Sequence, residues 1–187
     1  LMLEKEIKTE RLIIKSPQMD DAVELTELIN DKSVVKWLSD IPFPYTVRHA
    51  EEFIERSQEK ALKNESYNFM IFQKNKMLGG IGLTEFRNQS CELGYWLGKK
   101  YWRYGFATEA VTGMLDFGFI QLNLIEIFAS YKIGNEGSKR VLTKCGFQFN
   151  REKQEFDSVL LKEETLIEMI NINAAEKQFE YLLVLLI

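Results

Sequence analysis

The amino-acid sequence predicts an α/β domain built on one central mixed, largely antiparallel sheet, and three observations carry that prediction. Three apolar strand candidates, Tyr67 to Gln73, Met77 to Phe86 and Cys91 to Leu97, follow one another with only short polar turns between them. That is the pattern of an antiparallel meander. From Ala107 the apolar spacing changes to a helical period, with Ala107, Ala110, Val111, Met114, Leu115, Gly118 and Leu122 on one stripe. Beyond that helix the chain continues strand, helix, strand, an order that implies right-handed crossovers onto the same sheet.

Taken in order, Arg11 to Ser16 is a short β-branched run. Pro17 and the acidic pair Asp20 and Asp21 follow, placed to cap a helix carrying Ala22, Leu25, Leu28 and Ile29 on one face. After Trp37 and the turn-rich Pro42-Phe43-Pro44-Tyr45, Thr46 is placed to cap a second helix. Its inward stripe is Val47, Ala50, Ile54, Ser57 and Ala61, and Lys63 to Glu65 ends it. The meander then turns at Lys74-Asn75-Lys76 and at Arg87-Asn88-Gln89-Ser90. After the helix that begins at Ala107, Leu124 to Tyr131 reads as a strand, and Glu136 to Cys145 as a short helix. Gly146 suits the left-handed closing position of that helix. Phe147 to Phe156 and Leu166 to Ile172 form a final hairpin whose turn is blurred by Val159, Leu160 and Leu161. Residues 1–173 therefore read as one domain and 174–187 as a tail. Within that tail Phe179 to Ile187 is too apolar to stay solvated, so it packs on its own domain or on a second subunit, the latter giving a homodimer.

Composition narrows the function. The chain has 187 residues, 45% of them hydrophobic and 28% charged, which is the ordinary soluble-globular range. Its 24 Lys+Arg against 28 Asp+Glu leave a net charge of −4, which argues against nucleic acid as a partner because phosphate backbones need clustered positive charge. Two cysteines, Cys91 and Cys145, and one histidine, His49, are too few for a structural metal site, so no metal is expected. They also give no disulfide framework, and a cytoplasmic setting fits. The longest apolar run, Tyr181 to Ile187, falls well short of the about 20 residues that span a bilayer, so no membrane role is expected.

The densest chemical signal is Trp102-Arg103-Tyr104-Gly105-Phe106-Ala107-Thr108-Glu109-Ala110, which joins a strand to the start of the helix at Ala107. Gly105 permits positive φ and close backbone approach, Ala107 keeps the next position small, and the helix N-terminus offers unpaired N–H groups. Such a turn can cradle an anion. Taken alone, Gly105 serves equally as a tight strand-to-helix turn.

The block Glu92 to Ala110 and the later Asn135-Glu136-Gly137-Ser138-Lys139-Arg140-Val141-Leu142-Thr143-Lys144-Cys145-Gly146-Phe147 resemble the GNAT superfamily of acetyl-CoA-dependent N-acetyltransferases. Within it, the ribosomal-protein alanine N-acetyltransferase branch is most similar. Thr9-Glu10-Arg11-Leu12, the Trp37 segment and Pro44-Tyr45-Thr46 match that branch in order and rough spacing, so the resemblance covers residues 9–172. The superfamily's diphosphate loop, Gln/Arg-x-x-Gly-x-Gly/Ala, maps onto Trp102 to Ala107, with Trp102 departing at the first position.

The resemblance implies an acyl-CoA N-acyltransferase-like fold with helices on both faces of the sheet, and acetyl-CoA as co-substrate. The coenzyme's diphosphate would lie on the backbone of Arg103, Tyr104, Gly105, Phe106 and Ala107, and its pantetheine arm between the Cys91–Leu97 and Leu124–Tyr131 strands, which splay apart in this family. Leu97 and Asn135 complete the coenzyme-binding set; Asn135 serves the pantetheine amides, caps a helix, or does both. Ser138 falls on the inward stripe of its helix, where it either donates to the departing thiolate or caps backbone. Strand alternation puts Cys91, Leu93, Tyr95 and Leu97 on one face and Glu92 with Trp96 on the other. Glu92 is then either the acceptor of the amine proton, directly or through water and with Trp96 raising its pKa, or a solvated strand glutamate paired with a lysine. Trp37, Pro44, Tyr45 and Trp96 line the acceptor pocket or pack in the core, the core being the better fit for Trp37. His49, off the inward stripe, is solvated or substrate-facing, and Cys91 and Cys145 are buried small hydrophobes without a nucleophilic role.

The function so implied is acetyl transfer from acetyl-CoA to a primary amine, foremost the N-terminal α-amine of a protein or peptide. The alternatives are a small amine (a polyamine, an amino acid derivative or an aminoglycoside) and a non-catalytic coenzyme-binding module.

Overall fold

The meander lies at the centre of an eight-stranded sheet in the computed structural model, which describes residues 6–173. The strands are β1 (Glu6–Lys8), β2 (Ile13–Lys15), β3 (Tyr67–Gln73), β4 (Lys76–Arg87), β5 (Ser90–Leu97), β6 (Glu126–Lys132), β7 (Gln148–Asp157) and β8 (Lys162–Ile172). Their spatial order is β1-β2-β3-β4-β5-β6-β8-β7. Every pairing is antiparallel except β5 with β6. The expected apolar tail falls outside the described residues.

Helices cover both faces, as the resemblance implies. On one face α4 (Phe106–Asp116) and α5 (Glu136–Lys144) bury Phe106, Val111, Met114 and Leu142 against Leu83, Leu93 and Ile127. On the other, α1 (Ala22–Ile29) and α3 (Val47–Leu62) bury Leu25, Ile29, Ala50 and Ile54 against Met70 and Phe72. A one-turn helix, α2 (Lys32–Val35), begins the long connection between them.

Local chemistry explains several boundaries. Thr46 caps α3 as expected, and His49 completes a reciprocal box: the Thr46 hydroxyl accepts from the His49 N–H at 3.3 Å, while His49 Nδ1 accepts from the Thr46 N–H at 3.1 Å. The single histidine is thus a helix-terminus group. Asp21 does not cap α1. Its carboxylate accepts from the Gln18 N–H at 2.8 Å and closes a short 3₁₀ turn, Met19–Asp21, ahead of the helix. The helix expected to run through Leu122 widens after α4 into a π turn, Phe117–Gln121, in which the Leu122 N–H reaches the Phe117 carbonyl at 3.2 Å. That turn leaves Phe117 in the core, edge-on to Tyr67 and Phe69. In the last hairpin, Asp157 Oδ1 accepts from the Val159 and Leu160 N–H groups at 3.0 and 2.8 Å. This carboxylate makes the apolar Val159-Leu160-Leu161 a solvent-facing turn and lets β8 start at Lys162, earlier than the sequence suggests.

Candidate functional site

β5 and β6 pair over only three rungs, Ser90 with Glu126, Cys91 with Ile127 and Glu92 with Phe128, and then part. The parting opens a cleft of about 540 Å³. Its walls are Leu93 to Leu97 of β5, Ser130 and Tyr131 of β6, the start of α5, the turn leading into α4, and Val34 with Lys36, Trp37 and Leu38 around the end of α2.

At one end stands the turn that the sequence singles out. Arg103 and Gly105 both have left-handed backbones, φ +68° and +81°, separated by Tyr104. At Gly105 glycine adopts this without strain, whereas Arg103 adopts it as a non-glycine residue. No side chain caps the first turn of α4 among the described residues, so its leading N–H groups remain available to an anion. Arg103, Gly105, Phe106 and Ala107 line the cleft. Tyr104 does not: its exposed ring leans on Phe106, with centroids 5.9 Å apart, and its carbonyl accepts from Arg11 Nη1 at 3.1 Å. Trp102, in place of the family's polar residue, donates Nε1–H to the Leu97 carbonyl at 2.8 Å and ties the turn to the end of β5. Leu97 lies in the cleft wall.

Midway along the cleft the first turn of α5 meets β5. Asn135 is the N-cap, its Oδ1 accepting from the Ser138 N–H at 3.1 Å, and it lines the cleft as well. The Ser138 hydroxyl is therefore not the cap. It lies 2.8 Å from the Tyr95 hydroxyl, with which it shares a proton position, and both residues line the cleft. Burial pushes the Tyr95 phenol well above its ordinary value, so it stays protonated. Sequence reasoning placed Tyr95 on the correct face of its strand but missed it as a site residue; the signal was its alternation onto the side from which α5 presents Ser138. Burial pushes the Cys91 thiol up to about 12 and also raises Cys145, which is half-buried rather than buried and reaches the Thr108 carbonyl at 3.6 Å.

Glu92 is not part of the cleft lining. It occupies the last paired rung before the strands part, and Lys153 Nζ stands 3.4 Å from both of its carboxylate oxygens. Trp96 does not shelter it, because the indole lies across β4, where Nε1 would stand 2.7 Å from a Cβ on Gly80. The paired-glutamate alternative describes the observed geometry. Trp37 and Trp96 line the cleft, which corrects the core reading for Trp37. Tyr45 is instead buried in the second core with its hydroxyl on the His49 carbonyl, and neither it nor Pro44 reaches the cleft wall. The Trp37 segment is tied down by Lys132, whose ammonium donates to the Leu38 carbonyl at 2.8 Å while pairing with Asp157 at 3.6 Å and with Glu164. Alongside it, Asp40 accepts from the backbone and hydroxyl of Ser158.

Residues 11–148 match the family model described as an acetyltransferase (GNAT) domain. The uncharacterized N-acetyltransferase p20 of Bacillus licheniformis is 33% identical over 144 residues, covering 75% of this chain and 80% of its own. Among solved structures, a ribosomal-protein-S5-alanine acetyltransferase from Vibrio fischeri superposes with a TM-score of 0.80 at 23% identity, covering 91% of this chain and 98% of its own. RimJ of Mycobacterium smegmatis, in complex with CoA-disulfide, gives 0.83 at 18% identity, covering 93% and 90%.

Proposed function

The chain belongs to the GNAT acetyltransferase family, and on that premise we propose that it moves the acetyl group of acetyl-CoA onto the N-terminal α-amine of a protein or peptide. The observation that carries this reading is the continuous cleft, which has an uncapped, left-handed turn at one end, parted strands along its length and two hydroxyls facing it midway. A long thioester with a diphosphate fits those features in that order. Bound there, the coenzyme supplies an activated acetyl group whose C–S bond breaks as the C–N bond to the amine forms.

The protein's share of the chemistry is orientation and proton handling. The backbone from Arg103 to Ala107 takes the diphosphate, and Leu97 flanks the arm that follows. Asn135, with Oδ1 committed to the helix, turns its amide to the same arm. Ser138 donates a hydrogen bond to the departing sulfur, and the protonated Tyr95 donates one in turn to Ser138, so that two half-buried hydroxyls stabilise the thiolate as it forms. The amine loses its proton to water, and Glu92, outside the cleft wall and paired with Lys153, helps carry it away to solvent.

The acceptor assignment rests on charge. Side chains lining the cleft include Lys36, Arg103, Arg140 and Lys144 against Glu136, a surface that suits an anionic coenzyme and repels polycations. An α-amine titrates near ~7.7–8.0 and is partly neutral at physiological pH, so it asks little of a base, whereas a lysine-type amine near ~10.4 asks much more. The structural likeness to a ribosomal-protein-S5-alanine acetyltransferase agrees with a protein acceptor. A cytoplasmic setting suits the two free cysteines. A screen of N-terminal peptides, amino acids, polyamines and aminoglycosides for CoA release tests the reading, with a peptide expected as best acceptor. Preference for spermidine or an aminoglycoside would overturn the acceptor, and CoA binding without turnover on any amine would leave a coenzyme-binding module.

A further inference from the structure

We propose that Arg11 is the positioning residue of the diphosphate turn, holding the Tyr104–Gly105 peptide so that its N–H faces the cleft. The inference rests on the reading that this turn receives the coenzyme diphosphate. Arg11 lies between β1 and β2, far from the turn in sequence, and is fixed first by Glu109 on the opening turn of α4. Both Glu109 oxygens are engaged: Oε1 accepts from the Thr9 hydroxyl at 2.5 Å and the Arg11 N–H at 2.7 Å, and Oε2 accepts from Arg11 Nε at 2.6 Å. The anchored guanidinium then sends Nη1 to the Tyr104 carbonyl at 3.1 Å and lies 4.7 Å from the centre of the Phe106 ring. Its Nη2 stands 3.4 Å from where a Cβ on Gly105 would be.

A trans peptide is planar, with its C=O and N–H on opposite sides. Drawing the Tyr104 carbonyl out to Arg11 therefore turns the Gly105 N–H the other way, towards the cleft that Gly105 and Phe106 line. Tyr104, whose carbonyl belongs to that peptide, sits between two left-handed residues, one of them a non-glycine, a shape that the chain keeps only if something outside the turn holds it. A turn shaped before the ligand arrives loses less freedom on binding. Pairing also removes an electrostatic conflict, because an unpaired Glu109 carboxylate on this turn would repel the incoming diphosphate.

The test compares CoA with pantetheine, which lacks the diphosphate and the nucleotide, by titrating each into the full-length protein. Arg11→Gln should weaken CoA by about tenfold to a hundredfold and leave pantetheine affinity unchanged, since misplacing a positioned contact costs on that order. Arg11→Lys keeps the charge but has no second arm to span Glu109 and the Tyr104 carbonyl, so it should also lose CoA affinity, and it carries the test if Arg11→Gln does not fold. Unchanged CoA affinity in a folded variant would overturn the inference, as would equal losses for CoA and pantetheine. If the unsubstituted protein binds CoA no tighter than pantetheine, the diphosphate reading of the turn itself falls, and the inference with it.

Discussion

Ser138 and Tyr95 bring two hydroxyl oxygens to 2.8 Å across the cleft, one from a helix and one from a strand. A donor to a developing thiolate acts in the transition state, so Ser138→Ala should lower kcat by about 10²-fold while the affinity for CoA changes little. Tyr95→Phe should follow the same pattern with a smaller loss; equal losses in turnover and CoA affinity would make the pair a packing contact. Glu92→Gln should reduce turnover only moderately, with recovery as pH rises and more of the amine is neutral. A flat comparison with the unsubstituted enzyme across pH would retire Glu92 from proton transfer. Helical offsets made the facing of Ser138 legible in the sequence, and its place between strand and helix made Asn135 legible as an N-cap. Glu92 was only half legible: alternation gives its face, but nothing local announces Lys153, 61 residues away on another strand. The part of Tyr104 in the turn is its backbone, its side chain being exposed and its carbonyl held by Arg11.

Elements were easiest to read where one carboxylate or hydroxyl sets a boundary within a few residues, as at Thr46, and hardest where a distant contact does so. The π turn after α4 depends on Phe117 reaching Tyr67 and Phe69, and the strand order, with β8 inserted between β6 and β7, depends on a hairpin folding back. At this scale Lys132 is the informative position, because it joins β6 to the last hairpin and to the segment carrying Trp37. In Lys132→Met, Asp157 would keep only its backbone donors and Glu164 only Lys162 as a cation. Breaking a buried cluster in this way costs about 3–5 kcal/mol. Denaturant titration should register that loss, and acceptor KM should rise more than acetyl-CoA KM. Unaltered stability would mean that the two carboxylates are satisfied without the ammonium.

For the molecule as a whole, the buried carboxylates set the response to acid. Burial alone would raise Glu109, Asp157, Glu164 and Glu168, but hydrogen bonds and neighbouring cations outweigh it and hold all four below their ordinary values. Groups depressed in the folded state contribute stability above their unfolded values, near ~3.9–4.3, and lose it as pH falls through the folded ones. Unfolding free energy should therefore decline as the medium drops below about pH 4, and a rise with acidification would contradict these assignments. The homodimer expected from Phe179 to Ile187 is checked by light scattering: removing that segment should shift the protein towards monomer, and an unchanged mass would discount it. The three-rung pairing of β5 with β6 has a mechanical consequence. With so short a shared ladder, the sheet behaves as two leaves, β1 to β5 and β6 to β7, fastened across the gap by side-chain latches: Tyr95 to Ser138, Glu92 to Lys153, Leu38 to Lys132 and Asp40 to Ser158. Latches of this kind open singly and at low cost, so amide hydrogen exchange in the free protein should be fastest along the facing edges of β5 and β6. Whatever bridges those edges would slow it there first, so the exchange pattern maps the ligand's path without any turnover.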